Sequence, residues 1–360
     1  MKICIISHYN KFDLNKLYAG GDIDLYLLAQ SWKKSGEEII LSAKSIKKFS
    51  FIDMLYDSLN ILTSKEYIKD SNCDIIIGGS PYPTDFILTL KIMHKLNIPA
   101  VIYFHHIPPS IFFHPIRRGL LRVILNRIYF LFAISLCKIF NVGIFIDQPQ
   151  AYDLGSLNVY KNDGSINEFE QCLNKSVNTE MNNFDILFLG RVNKPKGIYD
   201  MIKVMKILQK KGLKLIIAGG ISDKKYFNKL INKIEKSNLD SFITFLGYVT
   251  EEEKINLFKK AKIFLFPSYE EGWAISVMEA ARYCVPIVAY DLPAYSYLND
   301  NFFKVPPGDI KKLAEAIEQC LENKELREKY VKNAYQLVLK YNYKEIANDH
   351  LTIFKHLVIK

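Results

Sequence analysis

Short apolar runs that alternate with helical periods constrain this chain more than any other feature. Ile186-Leu-Phe-Leu-Gly-Arg-Val192, Leu213-Lys-Leu-Ile-Ile-Ala-Gly-Gly220, Lys262-Ile-Phe-Leu-Phe266 and Pro286-Ile-Val-Ala-Tyr290 are short and largely apolar, as strands covered on both faces must be. Between them, Ile198 to Lys211 has the spacing of an amphipathic helix. A second helical stretch runs from Ala274 to about Tyr283, where Cys284-Val-Pro286 ends it. Strand, helix, strand in that order implies parallel pairing with helices packed over the sheet. In an open parallel sheet ligands collect at the carboxyl ends of the strands. Gly190, Arg191, Lys196, Gly219, Gly220, Gly247 and Glu271 are the residues expected there.

The chemistry is densest in Phe266-Pro-Ser-Tyr-Glu-Glu-Gly-Trp-Ala-Ile-Ser-Val-Met-Glu279, a strand end, a loop and a helix start flanked by Glu271 and Glu279. Backbone amides of Trp273, Ala274 and Ile275 in the first turn, with the helix dipole behind them, suit an anion such as a phosphate. The two glutamates are eight residues apart, on the order of 10 Å along a helix. That span fits the length of a ligand better than a proton shuttle across one bond. In the plainer alternative Glu271 caps the helix and Glu279 is a solvated helical carboxylate. Arg191 and Lys196-Gly197, at the mouth of the Ile186 strand, add two cations beside the same edge.

A chain of 360 residues is long enough for two domains of ordinary size. No run is a secure membrane span, and Met1-Lys-Ile-Cys-Ile-Ile-Ser7 reads as a first strand, not a signal peptide, so a cytoplasmic chain is expected. Six scattered cysteines have neither metal-ligand spacing nor the look of a disulfide framework. Asp147 to Asn183 is polar and loop-rich and reads as the boundary between domains.

The N-terminal half repeats the alternation. Gly20-Gly21 precedes a helical spacing from Ile23 to Trp32; Asp22 and Asp24, at a helix start, are read as first-turn residues and not as a metal motif. Asp74 to Gly79 and Ala100 to His106 are buried strands, the second ending in His105 and His106. From Phe86 to Ile146 there is no Asp or Glu, although the net charge of the whole chain is only +10. Within that stretch His114 to Phe132 is helix-like and basic, with Arg118, Arg122 and Arg127 near one side, so the 114–138 segment suits an anionic membrane surface. In the alternative Ile128 to Cys137 is an ordinary core helix and the arginines a solvated rim. No nucleic-acid motif accompanies the charge, and no nucleic-acid partner is expected. Ile310 to Tyr341 is helical and charged, and Ile346, Leu351, Phe354 and Leu357 continue an apolar spacing to the end.

Gly190-Arg191 with Lys196-Gly197, then Phe245-Leu-Gly-Tyr-Val249, then Glu271-Gly-Trp with Glu279-Ala-Ala and Pro286-Ile-Val-Ala289 resemble, in order and spacing, the C-terminal domain of retaining glycosyltransferases of family 4. The resemblance implies the GT-B fold: two Rossmann-like, doubly wound α/β domains facing a central cleft. The expected domains are 1–180 on the acceptor side, with a terminal helix 342–360 crossing back, and 181–341 for the nucleotide sugar.

It further implies an anomer-retaining transfer from a UDP- or GDP-sugar to a glycan or lipid-linked acceptor, with no metal and no cofactor. Glu271, with Gly272 and the Trp273, Ala274 and Ile275 backbone, would hold the sugar. Glu279 would hold the ribose, and Arg191 and Lys196 the diphosphate beside Gly190 and Gly219. Gly247, Tyr248 and Val249 would lie against the base, while Gly20 and Gly21 approach from the other domain. Either His105 or His106 would face the sugar, with His105 the better match by register. A GT-B-fold nucleotide-sugar epimerase and a non-catalytic nucleotide-sugar-binding scaffold are the alternatives. With a lipid-linked acceptor, the chain would be peripheral on the inner face of the cell membrane.

Overall fold

The computed structural model describes residues 1–7, 20–43, 72–79, 83–104, 120–146, 159–161 and 184–359. Contacts divide the chain into two units, Met1–Asn167 with Tyr341–Lys360, and Glu168–Lys340. The division expected at 180/181 falls outside the described residues, as do His105 and His106.

Unit 1 runs β1 (Lys2–Ser7), α1 (Gly20–Lys34), β2 (Glu38–Ala43), β3 (Ile75–Gly78), α2 (Pro83–Leu96), β4 (Ala100–Phe104), α3 (Leu120–Ile139), β5 (Gly143–Ile146) and β6 (Val159–Lys161). Every pairing in its sheet is parallel, in the order β2-β1-β3-β4-β5-β6. Side chains alternate across the sheet with period two. Ile3 and Ile5 of β1 therefore enter one core with Leu25, Leu28 and Trp32 of α1, while Ile6 enters the opposite core with Phe86 of α2 and Phe130 of α3. Gly20 and Gly21 form the start of α1.

Unit 2 runs β7 (Ile186–Leu189), α4 (Ile198–Ile207), β8 (Leu215–Ala218), α5 (Lys224–Lys236), β9 (Ile243–Gly247), α6 (Glu251–Lys260), β10 (Ile263–Phe266), α7 (Ile275–Arg282), β11 (Ile287–Tyr290), β12 (Phe303–Val305), α8 (Ile310–Glu322) and α9 (Lys324–Val338). Its sheet is also parallel, in the order β12-β11-β10-β7-β8-β9. The chain winds outward from β7 through β8 to β9 and then returns to the other side of β7 at β10. The loops leaving β7 and β10 therefore flank a topological switch point, the place where open parallel sheets bind ligands. Those loops carry Arg191, Lys196 and Glu271.

The structure sharpens three helix boundaries. The Ile198–Lys211 helix is α only to Ile207 and then tightens to a 3-10 turn, Leu208–Lys211, closed by Gly212 in the left-handed region. The charged Ile310 to Tyr341 stretch is two helices, broken at Asn323, whose side chain accepts the Leu326 N–H at 3.0 Å and caps the second. The helix expected from Ala274 starts at Ile275, and Ala274 itself is left-handed.

The last helix, α10 (Tyr343–Ile359), packs on α1 and so belongs to unit 1, making that unit discontinuous in sequence. Its Tyr343, Ile346, Leu351 and Phe354 complete the core that contains Trp32. His350 is 2% exposed among them, 2.8 Å from the Tyr103 hydroxyl. Burial depresses its imidazole pKa to about 3, so it is neutral in the fold.

Candidate functional site

The loops after β7 and β10 are clamped together through their backbones. Gly197, after the 3-10 turn Lys194–Lys196, has φ 69°, and a Cβ there would lie 1.9 Å from the Pro267 carbonyl oxygen. Glycine is required both by the left-handed conformation and by this approach. The Tyr269 N–H donates to Pro195 O at 2.8 Å, and Ser268 Oγ donates to the same carbonyl at 3.4 Å. Beneath, the hydroxyls of Tyr269 and Tyr290 donate to Oδ2 of Asp200, the latter at 3.0 Å; Asp200 is 1% exposed. Lys203 Nζ, 3.5 Å from Oδ1, supplies its counter-charge.

On this base Lys196 Nζ pairs with Glu271 Oε1, lying 5.2 Å over the Phe266 ring. Both side chains are largely buried, so the pair is held in a low-dielectric setting where its charges act strongly. Arg191 is exposed and, among the described residues, makes no ion pair. The carboxyl ends of β7, β8 and β9 meet through glycines: Gly219 N–H donates to Gly247 O at 2.6 Å, and a Cβ on Gly219 would lie 2.0 Å from Gly190 O. Gly220 O accepts the Val192 N–H at 2.9 Å. Gly247 has φ 74° with nothing within 4 Å of where a Cβ would be, and Tyr248 after it is 68% exposed. Thus Gly190, Gly219, Gly220 and Gly247 converge at one sheet edge, and Lys196 and Glu271 are in contact.

The start of α7 departs from the sequence reading. Ala274, the residue before the helix, has φ 54° and ψ 62° and no side-chain cap bond. Glu271 is therefore not the cap; its carboxylate is turned to Lys196. The Ile275 and Ser276 amides precede the first bond of the helix, Val277 N–H to Ala274 O at 2.8 Å. Trp273 is turned inward, 7% exposed, its indole N–H donating to Met278 Sδ and its ring stacked on Tyr297 with centroids 5.1 Å apart. Only the backbone of Trp273 is thus offered to a ligand. Near Glu271, Tyr295 is 1% exposed, and its hydroxyl has no hydrogen-bond partner among the described residues. Burial raises that hydroxyl's pKa well above the ordinary tyrosine value, and the Glu271 charge adds to the shift.

Glu279 is not a solvated helical carboxylate. Its Oε1 lies 2.5 Å from Lys254 Nζ, which also reaches Glu251 Oε2 at 2.8 Å. Burial raises the Glu279 pKa above the usual carboxylate range, against the pull of Lys254. Burial disfavours the Lys254 charge, but Glu279 and Glu251 outweigh it and hold the ammonium above the ordinary lysine range. Lys254 is placed by a capping box at the head of α6: Thr250 Oγ1 accepts the Glu253 N–H at 3.3 Å, and Glu253 Oε2 accepts the Thr250 N–H at 2.7 Å.

Sequence reasoning missed Lys254, Asp200, Tyr269, Tyr290 and Tyr295. Thr250-x-x-Glu253 is a legible helix start, yet nothing local ties Lys254 to a glutamate 25 residues away. Among the described residues no cluster of three or more His, Cys, Asp or Glu is placed to hold a metal ion. The side chains of Asp22 and Asp24 lie outside the described residues.

Two parallel Rossmann-like units, with cations and carboxylates at the switch point of the second, are the layout of the GT-B fold. Sucrose-phosphate synthase from Thermosynechococcus elongatus superposes with a TM-score of 0.81 at 16% identity, covering 99% of this chain and 98% of that one. HepE of Anabaena, solved with UDP and glucose, gives 0.74 at 16% identity over 99% of this chain and all of that one. Residues 171–337, which include most of unit 2, match the family model Glycosyl transferases group 1. A capsular polysaccharide biosynthesis glycosyltransferase of Staphylococcus aureus is 28% identical over 172 residues, 45% of this chain and 42% of the relative. The first curated relatives are matched over less than half their length.

Proposed function

We propose that the protein is a glycosyltransferase of family 4 type that moves a sugar from a UDP- or GDP-sugar to a glycan or lipid-linked acceptor, retaining anomeric configuration without a metal. The Lys196–Glu271 pair, locked at the switch point of a group 1 domain, carries this reading. When a donor enters, its diphosphate competes with Glu271 for Lys196, and Arg191 supplies a second cation. Released from Lys196, the Glu271 carboxylate accepts hydrogen bonds from sugar hydroxyls. The Ile275 and Ser276 amides at the start of α7 face the developing negative charge, and Glu279 accepts from the ribose. Catalysis on this reading is positional and electrostatic: fixed cations and dipoles stabilise the departing nucleoside diphosphate. Retention follows if the acceptor hydroxyl attacks on the face from which the phosphate leaves, with that phosphate taking its proton. The basic, acid-free stretch around α3 supports an anionic membrane surface as the place where a lipid-linked acceptor is met.

Incubation with a panel of nucleotide sugars and acceptors tests this. Transfer is expected, and Arg191→Ala or Lys196→Ala slows it on the order of 10²-fold or more, as loss of an anion-stabilising donor does elsewhere. Turnover unchanged in both variants removes the diphosphate assignment. A sugar isomerised without an acceptor replaces transfer by epimerisation, and a donor bound but never turned over leaves a binding scaffold.

A further inference from the structure

The outer face of α3 carries apolar side chains; Arg118 and the side chain of Arg122 lie outside the described residues. Phe130, Ala133 and Cys137 are the buried side of this helix. On the opposite side Ile128, Leu131, Phe132 and Ile139 are 59, 52, 57 and 72% exposed. At 3.6 residues per turn these four fall within an arc of about 100°, a continuous stripe along three turns. Ser135 lies in the same arc, its hydroxyl turned back to Leu131 O at 2.9 Å and so satisfied within the helix. Phe140, just past the helix end, is 42% exposed. Single exposed apolar residues need no explanation, but a stripe of this size marks a contact surface.

Charge identifies what covers it. Arg127 and Lys138 border one edge of the stripe, and no carboxylate stands anywhere between Phe86 and Ile146. A second copy of the chain would bring the same cationic border against itself, because a two-fold contact joins identical patches. An anionic bilayer surface complements both parts at once: headgroups meet the cations, and the acyl boundary takes the apolar side chains. Among the described residues no helix is long and apolar enough to cross a membrane, so α3 would lie in the interface plane.

We infer that α3 inserts Ile128, Leu131, Phe132 and Ile139 into the hydrocarbon boundary of an anionic membrane, with Arg127 and Lys138 at headgroup level. This deepens the membrane-surface part of the proposed function by replacing electrostatic adsorption with insertion. The two modes separate by salt, which screens adsorption and leaves apolar burial in place.

The test is flotation of the full chain with phosphatidylcholine vesicles, with and without phosphatidylglycerol, at low salt and at about 1 M salt. Wild-type protein is expected to float with anionic vesicles and to remain partly bound at high salt. Leu131→Ser with Phe132→Ser lowers the salt-resistant fraction at least about tenfold. Both positions are exposed, so the fold should survive, as an unchanged thermal melt verifies. A Phe132→Trp variant should show a blue-shifted emission that is quenched by lipids carrying a label in the acyl chain.

Binding abolished by salt, or indifferent to the serine pair, overturns insertion and leaves surface adsorption standing. No binding to any vesicle removes the membrane reading altogether. A wild-type dimer in solution that the serine pair turns into a monomer assigns the stripe to self-association. Vesicle binding is read without sugar transfer, so its failure is distinct from failure of the transferase reading.

Discussion

Acidification should release the terminal helix α10 through a single side chain. His350 sits among Trp32, Tyr103, Phe145 and Phe354, with a folded pKa near 3 against an ordinary value of 6.5. Between those values the unfolded chain binds a proton that the folded chain refuses, so stability rises with pH across this window and is lost as pH falls through it. At 1.36 kcal/mol per unit the full loss is on the order of 4–5 kcal/mol by pH 3, and about 2 kcal/mol between pH 6.5 and 5. In a unit of this size the latter lowers Tm by roughly 4–8 °C.

Calorimetric melts at pH 7, 6 and 5 measure the loss. Trp32 emission, from an indole 0% exposed beside Phe354, reports whether α10 is the element that leaves. His350→Leu combined with Tyr103→Phe removes the titrating group and the hydroxyl paired with it. The decline in Tm from pH 7 to 5 should then shrink by about the amount above. Equal declines in the variant and the wild type, or a His350 ring signal titrating near 6.5 in the folded protein, would refute the reasoning.

Two further outcomes follow from the second unit. Lys254→Met strips the cation from a mostly buried Glu279, which should cost about 2 kcal/mol at pH 7 and weaken UDP or GDP binding, while Lys254→Arg keeps both; unchanged melting and calorimetric titration of the Met variant would count against the pair. Ala274→Gly relieves a left-handed alanine at the head of α7 and should raise stability by roughly 0.5–1 kcal/mol; a lower Tm would show that the φ of 54° carries no strain.

The alternation of strands and helices and the identity of the switch-point loops were legible along the chain because both depend on local signals, whereas the strand Val159–Lys161 lies in a stretch read as loop. Runs such as Ile263–Phe266 are too short and too apolar for anything but a buried strand, and Gly197 and Gly219 stand where a backbone must come close. Helix ends were less legible. The break at Asn323 and the tightened turn after Ile207 depend on caps whose partners are only a few residues away, yet many asparagines and glycines make no cap at all. The apolar stripe on the outward face of α3 was not legible for a related reason. Periodicity says that a helix has two faces, and when both are apolar it does not say which one the sheet takes.

By itself, then, the sequence determined two parallel α/β units and placed Arg191, Lys196 and Glu271 on loops leaving strand ends, since strand length, apolar runs and glycine are read within a few residues. Only the tertiary structure decided that Lys196 meets Glu271 across 75 positions, that Lys254 meets Glu279, that Asp200 anchors two tyrosines beneath the clamp, and that His350 closes the first unit from the far end of the chain. Those contacts join segments that the parallel crossovers bring together. Their energies come from burial and from charges placed at close range, neither of which exists until the sheets have formed.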